Sequence, residues 1–240
     1  MKKAFILLLV VVFVSVSCDT RVNSNIFSAL KNTDNISVLE AIASGDEEIM
    51  TAVYERESAR WASLDPVTDR EEFLQVTLDI ADLQSVRSRG VLLFVALIVI
   101  EVSQTEVGEV IDTQIIEDYL YEVSDKIRDV RQLEGESTPT QKFMAALGLI
   151  VYWYYIADYL GTSPREMVHA YKEGNLEALL LDLEWESLQD YDSTSDIEED
   201  LKKDVDDIQL YIQDIEDDPE TENMPDLQQA VENTSLIFGV

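Results

Sequence analysis

Apolar residues recur along most of this chain at steps of three and four. Phe73, Val76, Ile80 and Leu83 form one such set. Ile116, Leu120, Val123, Ile127 and Val130 form a second, and Ile197, Leu201, Val205, Ile208, Ile212 and Ile215 a third. At 3.6 residues per turn each set draws one apolar stripe along a helix. No strand-like alternation of useful length accompanies them. The pattern predicts helices over 26–32, 36–43, 45–61, 69–88, 91–104, 112–132, 139–160, 164–173, 175–190 and 196–217. Asp226–Leu236 has the length for one more short helix.

Two segments are apolar on every face. Val91–Ile100 is wholly so, and Phe143–Ala157 is interrupted only by Gly148. As helices they reach about 15 and 22 Å, short of the ~30 Å hydrocarbon core of a bilayer. A helix apolar all round sits at the centre of a bundle or in a membrane, and these lengths select the centre. The expected fold is therefore all-α: a multi-helix bundle or helical-hairpin array around two strongly apolar central helices.

Helix starts are marked by capping residues. Ser44-Gly-Asp-Glu47, Thr68-Asp-Arg-Glu71 and Ser195-Asp-Ile-Glu198 each read as a capping box. Thr138-Pro-Thr-Gln141 and Ser163-Pro-Arg-Glu166 add proline at the first helical position, where its missing N–H costs nothing. Gly174 followed by Asn175 reads as the end of one helix and the cap of the next.

The N-terminus follows a different logic. Met1-Lys2-Lys3 is basic, Ala4–Val14 is almost wholly aliphatic, and Ser15-Val16-Ser17 precedes Cys18, the only cysteine in the chain. A basic start, a short apolar run and small residues before a boundary are the parts of an export signal. These residues resemble a bacterial lipoprotein signal peptide, with Ser15 in place of the usual aliphatic residue of the lipobox. The resemblance implies that residues 1–17 are removed and that Cys18 is lipidated, with 18–25 a short tether. It places the protein in the cell envelope, anchored and extracytoplasmic, with inner or outer membrane left open. Several buried acyl chains at about 0.8 kcal/mol per CH₂ hold such a protein on a bilayer.

Composition narrows the function. The net charge of −32 becomes −34 once Lys2 and Lys3 leave with the signal, which opposes binding to nucleic-acid phosphates. The charge is uneven: residues 182–240 hold 20 acids and 2 bases, so the helical end from about 182 is expected to carry a solvated acidic face. With 46% apolar residues the chain has material for a core despite that charge. The expected organisation is an all-α domain over 26–217 and an acidic C-terminal tail over 218–240 with a possible short helix.

Candidate chemistry is sparse. His169 is the only histidine, which excludes a His-His metal site and reads as a surface or packing residue. No nucleophile motif, phosphate-binding loop or dinucleotide fingerprint is present, so no catalytic residue and no cofactor are expected. Asp190, Asp192 and Asp196 alternate like the start of a calcium loop. Ser195 stands at its glycine position and Leu201 at its terminal glutamate, so they are a weak calcium candidate. Glu101 and Asp158 each follow an apolar run, and paired carboxylates of this kind are what an envelope hydrolase would use.

The aromatic stretch Tyr152-Trp153-Tyr154-Tyr155 is the most distinctive feature. Four adjacent aromatics point all round a helix. Trp153, Tyr154, Tyr155, Asp158 and Tyr159 are therefore the candidate binding surface or cavity, its small-molecule ligand unknown. The stretch Val151–Tyr155 with Ala157 and Leu160-Gly161, and the upstream Ala43–Glu47, resemble T-component lipoproteins associated with tripartite (TRAP) transporters. That family is helical, lipidated and periplasmic, and the resemblance implies an accessory role beside a periplasmic solute-binding protein. The reading from the residues themselves is broader: a non-enzymatic interaction or accessory protein of the cell envelope, with the membrane and an envelope or transporter protein as partners.

Overall fold

A computed structural model describes residues 35–88, 121–183, 185, 188 and 191–238. Among the described residues the architecture is all-α, with nine α-helices, one 3₁₀ segment and no strand. Cys18, Glu101 and the helix expected over Val91–Ile100 lie outside the described residues. The described chain divides into two compact units at Leu64/Asp65. The division has a local cause. Pro66 bars helical backbone at the residue before it, and Asp65 turns the chain by accepting the N–H groups of Val67 and Thr68 at 2.8 and 3.0 Å.

The first unit contains α1 (Val38–Ser44) and α2 (Glu47–Ser63), which pack on each other. Ser37 and Glu40 form a reciprocal capping box on α1 that the sequence reading passed over. The box expected at Ser44 is not formed. Ser44 ends α1, Gly45 takes the left-handed conformation at φ +62°, and Asp46 caps α2 instead.

The second unit contains α3 (Arg70–Arg87), α4 (Tyr121–Gln132), α5 (Pro139–Tyr159), α6 (Pro164–Lys172), α7 (Leu176–Leu181), α8 (Thr194–Glu216), the 3₁₀ segment Pro219–Asn223 and α9 (Pro225–Phe238). Helix α5 is the centre. It packs on α4 and α8 most extensively, and also on α3, α6 and α9. Its residues from Phe143 to Ala157 are buried except for the half-buried Tyr152 and Tyr155, as the all-round apolar run predicts. Its N-terminus is the expected capping box. Thr138 Oγ1 accepts from Gln141 N at 3.3 Å, Gln141 Oε1 accepts from Thr138 N at 2.9 Å, and Pro139 occupies the first turn. Gln141 also donates to Asp82 on α3 at 2.8 Å, so the cap fixes α5 against its neighbour. The chain then turns 98° into α6, and no single described helix is long and apolar enough to cross a membrane.

Three boundaries differ from expectation. Thr68 does not cap α3; Asp69 precedes it without a side-chain cap bond. Helix α8 begins two residues early, capped by Ser193, whose hydroxyl accepts from Asp196 N at 3.3 Å, rather than by Ser195. The helix expected over 175–190 is only Leu176–Leu181. Continued at 100° per residue it would carry Trp185 about 140° away from the face of Leu180. Leaving the helix lets Trp185 and Leu188 return to the core beside Leu176 and Leu180. Near the C-terminus, where the sequence offers a short helix over Asp226–Leu236, α9 packs on α5, α6 and α8, and Val231 is buried.

Candidate functional site

The inner face of α8 runs Ile197, Leu201, Asp204, Ile208, Tyr211, Ile215, at steps of four and three. Two of its positions are polar-bearing, and α4 and α5 supply what they need. Arg128 on α4 is itself buried. It donates through Nε to Asp207 Oδ2 at 2.6 Å, through Nη2 to Asp204 Oδ1 at 3.0 Å and through Nη1 to Asp125 at 2.6 Å. Trp153 on α5, completely buried, donates its indole N–H to Asp204 Oδ2 at 2.9 Å. One guanidinium thus binds three carboxylates, and Asp204 joins α4, α5 and α8 at one point. Arg and Trp suit this place because each presents rigid donors to a desolvated carboxylate.

The electrostatics follow from burial. Desolvation pushes the Asp204 carboxyl up to about 6, against the opposing pull of the Trp153 N–H and the Arg128 charge. For Arg128, burial opposes the charged form, but the bond to Asp207 and the charges of Asp207, Asp204 and Asp125 outweigh it and hold its pKa above the ordinary value.

A cleft of about 660 Å³ opens beside this network. Its wall is made by Ile127 and Arg131 at the end of α4, the turn 135–138, Pro139 and Lys142 at the start of α5, and Tyr211 and Asp214 on α8, with Asp218 and Glu220 beyond. The turn is built tightly. Glu134 adopts φ +53°, Gly135 N donates back to Val130 O at 2.8 Å, and the Arg70 guanidinium binds the carbonyls of Leu133 and Glu134. Arg131 is oriented by its Nη2 bond to Asp207 and lies with its guanidinium carbon 5.4 Å from the centre of the Tyr211 ring. Its Nη1 and the Tyr211 hydroxyl are both buried and have no protein hydrogen-bond partner. Lys142 Nζ stands 3.7 Å from Asp214. Burial, with the Asp207 charge, pushes the Tyr211 phenol up, so it stays protonated at neutral pH.

The sequence-derived aromatic candidates fall elsewhere. Trp153 and Tyr154 are core residues, and the only polar atom of the Trp153 side chain is satisfied internally, so this ring does not form a partner surface. Tyr155 and Asp158 are half-buried and Tyr159 is exposed, its ring centre 6.4 Å from that of Tyr155. Tyr152 instead joins Tyr121 and Tyr191, with hydroxyls 3.0 Å apart between Tyr152 and Tyr191 and ring centres 4.8 Å apart between Tyr121 and Tyr152. Leu160-Gly161 forms a helix-ending turn, with Gly161 at φ +72°. His169 is on the surface, 3.4 Å from Glu173.

Of the calcium candidates, Asp192 is exposed, Asp196 lies in the first turn of α8 and Asp190 lies outside the described residues. Among the described residues no group of three or more His, Cys, Asp or Glu side chains is placed to hold a metal ion. Asp204, whose carboxyl is raised to about 6, is sealed under Trp153 and Arg128 and does not line the cleft. The cleft residues were missed because Arg131 reads as a surface charge and Tyr211 as one more aromatic. The heptad-like step of α8 was the signal that places Tyr211 inward. Comparison of the chain with protein families, with curated proteins and with solved structures finds no match.

Proposed function

We propose that this chain is a lipid-anchored, extracytoplasmic accessory protein of the cell envelope that acts by binding rather than by catalysing a reaction. The observation that carries the binding role is the open cleft of about 660 Å³ walled by Arg131, Lys142, Tyr211 and Asp214. A volume of this size lies within the range of small-molecule sites. The ionic network behind the cleft supports this role by holding Arg131 in a fixed orientation through Asp207. The anchor is supported by the N-terminal run ending at Cys18.

Fractionation of cells producing the full chain tests the anchor. Wild-type protein is expected in the membrane fraction and in the detergent phase. Cys18→Ala is expected to release it or to leave it unprocessed. Detergent partitioning and processing unchanged by Cys18→Ala would overturn the lipidated placement.

A further inference from the structure

The turn between α2 and α3 combines three properties at one peptide bond, Val67–Thr68. It is accessible: Asp65 to Asp69 are all exposed, and Val67 is 81% exposed. Its sequence sets a small β-branched residue directly after Pro66. It is also fastened only to itself and to the start of α3. Among the described residues, Asp65 Oδ1 accepts from Val67 N and Thr68 N, Asp69 Oδ2 accepts from Asp65 N at 3.1 Å, and Asp69 N donates to Asp65 O at 2.9 Å. Bonds of this kind between exposed groups open at little cost. The flanks are suited to an extended chain. Leu64 already has φ −89° and ψ 143°, the Pro66 ring fixes φ near −65°, and α3 starts without a side-chain cap bond.

We propose that Val67–Thr68 is a cleavage site for an endopeptidase with a small apolar S1 pocket, and that the cut releases residues 68–240 from the anchored N-terminus. Nicking concentrates at exposed turns, and a side chain of valine size fills a shallow apolar pocket of the elastase kind. One water is consumed. Its oxygen goes to the Val67 carbonyl carbon, which leaves as a carboxylate, and its two protons go to the Thr68 nitrogen, which leaves as an ammonium. The released part keeps its own fastenings. Phe73, Val76 and Ile80 of α3 are buried, and Arg70 binds the carbonyls of Leu133 and Glu134. The cut is independent of the cleft, and its consequence, release from the membrane, rests on the lipid-anchored reading given above.

Limited digestion of the full chain in detergent with pancreatic elastase tests the cut, read by mass spectrometry and N-terminal sequencing. A new N-terminus at Thr68 is expected. Val67→Asp and Val67→Ala change an exposed side chain and are expected to melt as wild type. Val67→Asp puts a charge where the protease needs an apolar group and is expected to slow the appearance of that terminus at least about tenfold. Val67→Ala keeps a small apolar group and is expected to retain it. Absence of a Thr68 terminus, or its appearance as fast from Val67→Asp as from wild type, overturns the site. Detergent-phase partitioning of the digest tests the release. Uncut chain is expected in the detergent phase and the Thr68 fragment in the aqueous phase. A Thr68 fragment that stays in the detergent phase overturns the release. Uncut chain in the aqueous phase overturns the anchor and the release together, while the Thr68 terminus still decides the cut.

Discussion

The indole N–H of Trp153 and the carboxylate of Asp204 meet at 2.9 Å in the interior, one from the central helix and one from the most acidic of the described helices. This bond explains why an apolar run carries a tryptophan at its centre: the ring fills the core and its single donor meets a buried acid. Trp153→Phe keeps most of the volume and removes the donor. Loss of stability of about 1–3 kcal/mol is expected in chemical denaturation, with helical content retained. A variant as stable as wild type would show that the bond contributes nothing.

Asp204 also sets a pH dependence. Its folded-state value, raised to about 6 from the ordinary 3.8, means that the folded chain holds a proton more tightly than the unfolded chain. The contribution to stability is therefore complete below about pH 4 and is lost as pH rises through 6. Its size is on the order of 3 kcal/mol. Denaturation of wild type and Asp204→Asn at pH 4, 5, 6 and 7 isolates this group from the many surface acids. Relative to Asp204→Asn, wild type is expected to lose stability across the window. A difference that stays flat from pH 4 to 7 would sink the assignment.

Arg128 is the common partner of Asp125, Asp204 and Asp207, and its removal leaves the buried Asp204 without its counter-charge and Asp207 with Arg131 alone. Arg128→Met is expected to cost about 3–5 kcal/mol. Arg128→Lys is expected to recover little, because one ammonium cannot reproduce a planar fork reaching three carboxylates. Equal stability of Arg128→Lys and wild type in urea titrations would contradict that geometry.

Gly135 closes the turn that walls the cleft. A Cβ there would stand 2.7 Å from Leu74 Cδ2, 2.9 Å from Val130 Cγ1 and 3.0 Å from Val130 O. The carbonyl belongs to the bond that ends α4 and cannot move aside without breaking it. Gly135→Ala is expected to destabilise by about 1–3 kcal/mol, read from the unfolding midpoint.

The two serines before α8 offer a test of the helix start. Ser193→Ala removes the hydroxyl that accepts from Asp196 N and is expected to cost about 1 kcal/mol. Ser195→Ala, at an exposed position inside the first turn, is expected to change stability by less than about 0.5 kcal/mol. The reverse order in thermal melts would return the cap to Ser195.

Several features were legible from local chemistry. The steps of three and four marked the described helices, and the Thr138 box and Pro139 placed the start of α5. The uninterrupted Phe143–Ala157 run marked the central helix. Each of these depends on residues within a turn or two of one another. The start of α8 was harder because Ser193 and Ser195 both satisfy the rule for a cap. Starting at Thr194 buries that residue, which adjacent sequence does not reveal.

By itself the sequence determined the all-α class, the central helix and the excess of acid toward the C-terminus, because periodicity, propensity and charge are local or additive quantities. Tertiary structure alone decided which acids lie inside. A stripe drawn through apolar residues passes over Asp204. An isolated carboxylate is too costly to bury, and the donors that offset the cost stand 51 and 76 residues away, on Trp153 and Arg128. The same folding moved the candidate site from the aromatic run to the cleft. Trp153 is enclosed by α5's neighbours, while Arg131, Lys142 and Tyr211 converge only where the ends of α4 and α8 meet the start of α5.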